Sequence, residues 1–253
     1  MAAAPQLLHI SAEIKQKLEF PGVFQGRELT RKTRRLSAGI PSIDELLGGG
    51  LPRGRISEIF GHRSSGAISL AASFMASATS ESEVVGIVDI ANRFDPLTMD
   101  RAGIELKRTL WVHPANLKNA LRAAELIMEG GGFGLVVIDF ADQARFVKES
   151  AALRLARWAE RSGASVLIIG RKRICGTFSA LSILLDKQRP LFAAGAGNGA
   201  WLFDGLQIEI CVTRNKLGAC GGRAPLRVAV DQPKRSELQH DQIAENFAIA
   251  RAN

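Results

Sequence analysis

Gly61 and Gly66 bracket a short polar loop, Gly61-His62-Arg63-Ser64-Ser65-Gly66-Ala67-Ile68-Ser69, set between a strand-like run, Arg55–Phe60, and a helix-like apolar run, Leu70–Ala78. This is the spacing of a phosphate-binding loop. In such a loop two glycines let backbone N–H groups wrap phosphate oxygens, a lysine after the second glycine neutralises the outer phosphates, and the next residue's hydroxyl holds magnesium. Here Ala67 takes the lysine's place and Ile68 the hydroxyl's. Gly61, Ser64, Ser65, Gly66 and Ser69 thus keep the frame of a triphosphate cradle without its charges. The same residues also read as a plain strand-to-helix turn rich in glycine and serine.

A loop of this kind acts only where strands bring partners to it. Val84–Ile90, Thr109–His113, Gly134–Phe140 and Ala164–Ile169 are short runs rich in Val and Ile, apolar on both faces as strands of a buried parallel sheet must be. Between them, Leu117–Met128 and Ala151–Arg161 keep one apolar face at helical spacing. The alternation predicts a doubly wound α/β sheet. Ser42 and Glu45 have the spacing of a capping box, so a short helix is expected over 42–47, closed by Gly48-Gly49-Gly50. After Gly170 come Arg171-Lys172-Arg173, an apolar stretch Ile174–Leu185 and a Gly- and Ala-rich run Phe192–Ala200. Three strand candidates follow, Trp201–Phe203, Leu206–Thr213 and Leu226–Val230, read as hairpins that extend the sheet.

The chain has 253 residues, enough for one large domain with appendages. The expected division is an N-terminal arm over 1–36, a core over 37–231 and a polar tail over 232–253. In the arm, Ser11–Phe20 has helical spacing with Ile14 and Leu18 on one face, and Arg31-Lys32-Thr33-Arg34-Arg35 is a basic stretch that suits either a solvated face or phosphate contacts. Thirty-three Lys and Arg against 25 Asp and Glu give a net charge of +8, which favours an anionic partner such as nucleic acid. Cys175, Cys211 and Cys220 are odd in number and lack Cys-x-x-Cys spacing, which suits reduced thiols in a cytoplasm. His9, His62, His113 and His240 show no ligand spacing, so no metal site is expected. No run is long enough to span a membrane, and the expected location is cytoplasmic, associated with the nucleoid.

Over roughly residues 36–230 the chain resembles the RecA recombinase core. The run LSAGIPSIDELLGGGLPRGRISEIFGHRSSGAISL has the wording of the segment that leads into and contains the family's phosphate loop. The resemblance implies a RecA-like P-loop NTPase fold: a mostly parallel twisted sheet, helices on both faces and antiparallel C-terminal strands. It places Ala91, within Val88–Pro96, where the family carries its catalytic glutamate, with Asp95 in the same stretch. It makes Asp139 the magnesium-facing aspartate and puts Gly170 and Arg171 in place of the Asn-Gln pair that senses the γ phosphate. It makes Arg214 and Lys216 part of the basic strand end that reaches a neighbouring subunit's nucleotide. Loss of the lysine alone is worth about 2–5 kcal/mol of phosphate binding, and loss of the water-activating carboxylate a further factor of roughly 10² to 10⁴ in rate. The expectation is a vestigial nucleotide site, no cofactor and no enzyme activity, with Asp139 bonded to neighbouring backbone. The alternative is weak residual ATP binding through His62, Arg63 and Arg171 in a recombination mediator of the RecA-paralogue kind.

Two surfaces remain for other macromolecules. Arg171, Lys172, Arg173, Lys187 and Arg189, with Arg214 and Lys216, can hold DNA phosphates without reading bases, while Phe178 and Phe192 are the only aromatics read beside them. The arm, through Ile14, Leu18, Arg31, Lys32, Arg34 and Arg35, is read as a docking segment for a neighbouring subunit. Size, degeneracy and arm together are similar to the ImuA-type accessory proteins of bacterial translesion synthesis. That likeness implies a role in the DNA-damage (SOS) response and three protein partners: RecA recombinase, a catalytically inactive Y-family polymerase homologue (ImuB-like) and an error-prone replicative-type polymerase.

Overall fold

In the computed structural model, which describes residues 33–140, 147–194 and 201–229, the alternating runs become one eight-stranded sheet among the described residues. The chain divides into two units, Met1–Arg34 and Arg35–Asn253. The elements below belong to the second. Strands β1 (Arg35–Leu36) and β2 (Leu51–Pro52) pair with each other and flank helix α1 (Pro41–Leu47). Then follow β3 (Ile56–Gly61), α2 (Ala67–Ser80), β4 (Val84–Asp89), α3 (Pro96–Arg101), β5 (Thr109–Val112), α4 (Leu117–Gly130) and β6 (Phe133–Asp139). The last elements are α5 (Glu149–Ser162), β7 (Ser165–Gly170), β8 (Ser179–Ala194), β9 (Trp201–Asn215) and β10 (Arg223–Ala229).

The sheet order is β10-β9-β8-β3-β7-β6-β4-β5. Strands β8, β3, β7, β6, β4 and β5 run parallel, and β9 and β10 close one side antiparallel. This is the α/β arrangement that the alternation predicts. Both faces are covered. Leu70, Phe74 and Met75 of α2 pack on Ile59, Ile87, Val137 and Leu167, while Ala124 and Met128 of α4 and Leu155 of α5 pack on Val136, Ile138, Val166 and Ile168.

Two local expectations need correcting. Ser42 does not cap α1: the N-cap is Ile40, with no side-chain cap, and Pro41 fills the first helical turn. The acidic residue that matters is Asp44, which accepts hydrogen bonds from the Ser37 hydroxyl (2.6 Å) and the Ala38 N–H (2.7 Å) and so ties the helix to the strand before it. Gly48 ends the helix in the left-handed conformation expected of it. The second correction concerns the C-terminal strands. Trp201–Phe203 and Leu206–Thr213 are one strand, not two, and Ser179–Ala194, which begins inside the stretch read as apolar, is the sixteen-residue strand β8. Gly205 continues β9 where a turn was read: at φ 147° it lies so close to β10 that a Cβ would meet the Val228 carbonyl oxygen at 2.2 Å.

The link from β7 to β8 crosses over β3 in the short segment Arg171–Phe178, which contains only a single 3-10 turn, Gly176–Phe178. A segment without a helix carries unsatisfied backbone N–H groups onto the sheet. Glu58, buried in the middle of β3, meets them: its Oε1 accepts from Ile174 N–H (2.6 Å) and Cys175 N–H (2.7 Å), and its Oε2 from the Ser182 hydroxyl (3.3 Å). The Arg173 guanidinium stands 3.9 Å from that second oxygen. Substituting Glu58→Ala strands two buried N–H groups and is expected to cost about 2–4 kcal/mol, whereas Glu58→Gln keeps a carbonyl acceptor and is expected to lose less than half of that. Urea unfolding of the three proteins measures the difference, and equal midpoints would show that the crossover is held by other contacts.

Candidate nucleotide cleft and its replaced charges

At the C-terminal ends of β3, β4, β6 and β7 a cleft of about 520 Å³ is lined by Gly61–Ser69, Ala91, Arg93, Ile169, Gly170, Arg171, Leu206 and Val228. The loop has the shape of a cradle. Ser64 (φ 57°) and Gly66 (φ 81°) are left-handed, and Gly66 caps α2. A side chain at Gly66 would be strained by the left-handed backbone and would have to displace Ile208 Cδ1, 2.3 Å from its Cβ. Strands β9 and β10 thus bring an apolar wall, Leu206, Ile208 and Val228, against the loop.

The cleft is also bordered by an ion pair, through its lining residue Arg93. Asp139, at the end of β6, is fully buried, and Arg93 grips it in a two-pronged ion pair: Nε to Oδ2 at 2.7 Å and a terminal nitrogen to Oδ1 at 2.5 Å. Fork-to-carboxylate geometry of this kind is among the stronger protein hydrogen bonds. Asp139, expected to bond to neighbouring backbone, thus has a guanidinium among its partners. Asp89, at the end of β4, stands opposite Asp139 in the sheet register and is fully buried. Its Oδ2 accepts from Phe94 N–H (3.0 Å), which closes the turn through Asn92 (φ 52°) that carries Arg93. Its Oδ1 has no hydrogen-bond partner. Burial, reinforced by the neighbouring Asp139 charge and opposed by the Phe94 hydrogen bond, pushes the Asp89 carboxyl above the usual aspartate range.

The structure gathers Gly61, Ser64, Ser65, Gly66, Ala67, Ile68, Ser69, Ala91 and Arg171 around the cleft, and links Asp139 to it through Arg93. Asp95 serves elsewhere, capping α3 through the Thr98 N–H (2.8 Å) and hydroxyl (2.7 Å). The basic residues read as one DNA-binding group are split. Arg171, Lys172 and Arg173 border a small pocket with His62 beside the loop. At the other end of β8, Arg214 donates to the Ser179 carbonyl (3.1 Å) and Lys216 to the Thr177 carbonyl, so both brace the crossover. Arg189 lies out along β8, beside Gln207 and Arg223. Lys187 is on β8, but its side chain lies outside the described residues. Of the arm residues, Ile14, Leu18, Arg31 and Lys32 also lie outside them, and Arg34 is exposed. Arg35 clamps the end of α1, donating to the Leu47 (3.0 Å), Gly50 (3.1 Å) and Leu217 (3.3 Å) carbonyls.

Comparison with known proteins agrees with this geometry. Residues 13–150 match the RecA N-terminal domain. The chain belongs to the RecA family. Over 105 residues it is 37% identical to protein RecA of Chlorobium limicola, covering 41% of this chain and 30% of that one. Over 115 residues it is 34% identical to protein RecA of Rubrobacter xylanophilus, covering 45% and 33%. The matched region therefore spans about a third of the length of these curated relatives. The fold is also that of the RadB recombinase crystal structure, with a TM-score of 0.59 at 21% identity over 76% of this chain and 95% of that one.

The magnesium nucleotide that the family implies does not fit this residue set. Both oxygens of Asp139 are engaged by a guanidinium, and Ala67, Ile68 and Ala91 offer neither a charge nor a ligand oxygen from their side chains. Sequence reasoning missed Arg93, although a new cation two positions after a lost carboxylate was the available signal. It read Phe192 only as an aromatic beside the basic residues and missed its partners at the end of the β8–β9 hairpin. There Phe192 and Phe203 pair edge to face at 6.0 Å, with Trp201 and Leu202 also exposed. The i, i+2 spacing of Trp201 and Phe203 on one strand face was the signal.

A raised carboxyl pKa in the folded state gives stability that is complete below the ordinary aspartate value, near 4, and is lost as pH rises through the raised value. Replacing Asp89→Asn, which keeps an acceptor for Phe94 N–H, is expected to narrow that loss. Its melting temperature relative to the unaltered protein should climb between about pH 4 and neutrality. A difference that stays flat across this range would show that Asp89 does not resist ionisation.

Proposed function

We propose that this chain is a non-catalytic RecA-family adaptor in DNA-damage-induced translesion synthesis, of the ImuA type, which docks on a recombinase filament or an error-prone polymerase complex and touches DNA without reading sequence. One observation carries the non-catalytic part: the aspartate that would face magnesium is tied up by Arg93, in a cleft whose lysine, hydroxyl and glutamate positions hold Ala67, Ile68 and Ala91. Docking is supported by the hairpin end, where Phe192 (54% exposed), Trp201 (71%), Leu202 (50%) and Phe203 (48%) present apolar surface of the kind that protein partners bury. Beside these residues Arg227 is matched by Asp204, which suits an apolar partner at that end. DNA contact is assigned to the loop cations Arg171, Lys172 and Arg173 with Arg189. Location in the cytoplasm at the nucleoid follows from that role; among the described residues no helix is long and apolar enough to cross a membrane.

A second reading, a recombination mediator with weak ATP binding, is favoured by the cleft's volume and by Arg63, Arg171 and His62 on its rim. Nucleotide titration separates the two: the adaptor reading expects no saturable ATP binding at micromolar concentrations and no hydrolysis, and either one would sink it. For the partners, tagged protein from damaged cells is expected to retain a recombinase or an error-prone polymerase, and Trp201→Ala/Phe203→Ala to lose it. Equal retention by both would remove the hairpin from the account. DNA affinity is expected to fall with salt at a log-log slope of roughly −2 to −4, the value for three or four phosphates. A flat response would remove the DNA contact.

A further inference from the structure

We infer that Arg93 stands in for the family's magnesium: its guanidinium is a built-in cation that joins the ends of β4 and β6 without metal or nucleotide, and its removal opens Asp89 and Asp139 to a divalent ion. This rests on the reading of the cleft as non-catalytic and deepens it to the question of what holds the cleft's geometry.

Three features lead there. First, the pair is directional. Both Asp139 oxygens receive a guanidinium N–H, at 2.7 and 2.5 Å, so the cation is fixed by geometry as well as charge. Second, Asp139 is not alone. Asp89 lies opposite it in the register of β4 and β6, both side chains are fully buried, and Asp89 Oδ1 is a buried oxygen without a hydrogen-bond partner, a donor atom left over beside the site. Third, Arg93 is itself a lining residue of the cleft, a space of about 520 Å³, while its guanidinium holds Asp139, which does not line it. A divalent ion such as magnesium is held by one or two carboxylates and keeps several waters. The carboxylates and the room for water are both here, and the guanidinium on Asp139 occupies the carboxylate oxygens an ion would use.

The choice of cation has a consequence. A guanidinium stays protonated at any physiological pH and cannot diffuse away. The cleft therefore keeps one geometry whatever the metal and nucleotide concentrations, as suits a protein whose surfaces must be presented constantly.

The test uses the full chain and three variants, Arg93→Ala, Arg93→Lys and Arg93→Ala/Asp139→Asn. Manganese binding is read by electron paramagnetic resonance, and melting temperature with and without magnesium at about 10 mM. The unaltered protein and Arg93→Lys, which keep a cation, are expected to bind no manganese and to melt at the same temperature with or without magnesium. Arg93→Ala is expected to melt roughly 5–10 °C lower in metal-free buffer, to bind one manganese ion, and to regain about 3 °C or more with magnesium. Adding Asp139→Asn is expected to abolish both metal effects. A folded Arg93→Ala protein that binds no manganese overturns the inference, as does metal binding by the unaltered protein equal to that of the variant. If Arg93→Ala folds only when manganese is present, the inference is upheld. If it fails to fold with manganese while Arg93→Lys folds, the inference is overturned. ATP hydrolysis by the unaltered protein is assayed separately. It would sink the adaptor reading, while the manganese comparison decides the role of Arg93 on its own terms.

Discussion

A sheet covered by apolar side chains on both faces tolerates an ionised group only where partners are built beside it, since burying an unpaired charge costs far more than most single contacts return. Three carboxylates lie buried in or at the ends of the central strands here, and each meets that demand differently. Glu58 is satisfied by backbone N–H groups of the crossover and a hydroxyl. Asp139 is satisfied by a guanidinium. Asp89 is satisfied at one oxygen only and resists ionisation instead. The arrangement of the site follows from these three solutions.

The Glu58 solution shapes the side of the cleft nearest the loop. A helix between β7 and β8 would use its own carbonyls for its N–H groups, but in the segment Arg171–Phe178 the Ile174 and Cys175 N–H groups turn to a side chain instead. By binding the crossover at Ile174 and Cys175, Glu58 fixes the path that begins at Arg171 on the rim of the cleft. Arg173, Arg214 and Lys216 then hold the remainder of that path through main-chain carbonyls of Gly176, Ser179 and Thr177. Arg214 and Lys216, which composition would assign to a polyanion, are therefore engaged in bracing a turn, and the proposed DNA contact rests on the loop residues around Arg171.

Most of the fold was legible because its signals are local. Val- and Ile-rich runs apolar on both faces marked β4 to β7, and one-sided helical spacing marked α4 and α5. The loop was legible down to its glycines. What escaped depends on contacts far apart in sequence. Gly205 reads as a turn residue, and only the close approach of Val228 makes it part of one continuous strand. Ser42 has the spacing of a cap, but Pro41 at the start of α1 and the bonds of Asp44 to Ser37 and Ala38 settle the helix start without it. Arg35 looked like part of a basic surface stretch until the fold placed the carbonyls of Leu47, Gly50 and Leu217 around it. Arg93 was unread for the same reason: its partner lies on another strand.

The Arg93 pair also bears on the proposed loss of the cleft's chemistry. Had the lysine, hydroxyl and glutamate simply been lost, Asp139 would remain as a buried carboxylate without the metal that justified it, a defect worth several kcal/mol in a fold whose whole margin is about 5–15 kcal/mol. Such a defect can be relieved by losing the aspartate or by supplying a cation. This chain supplies the cation, from the strand end where Ala91 stands in the glutamate's place, and in a geometry that uses both oxygens. The site is thus refitted rather than merely emptied, its charges balanced internally and its loop still shaped by Gly61 and Gly66. On the adaptor reading proposed above, a cleft balanced in this way has no electrostatic need for a nucleotide to complete it, and what the fold offers to other molecules lies in the surfaces around it: the loop cations on one side and the aromatic end of the hairpin on the other.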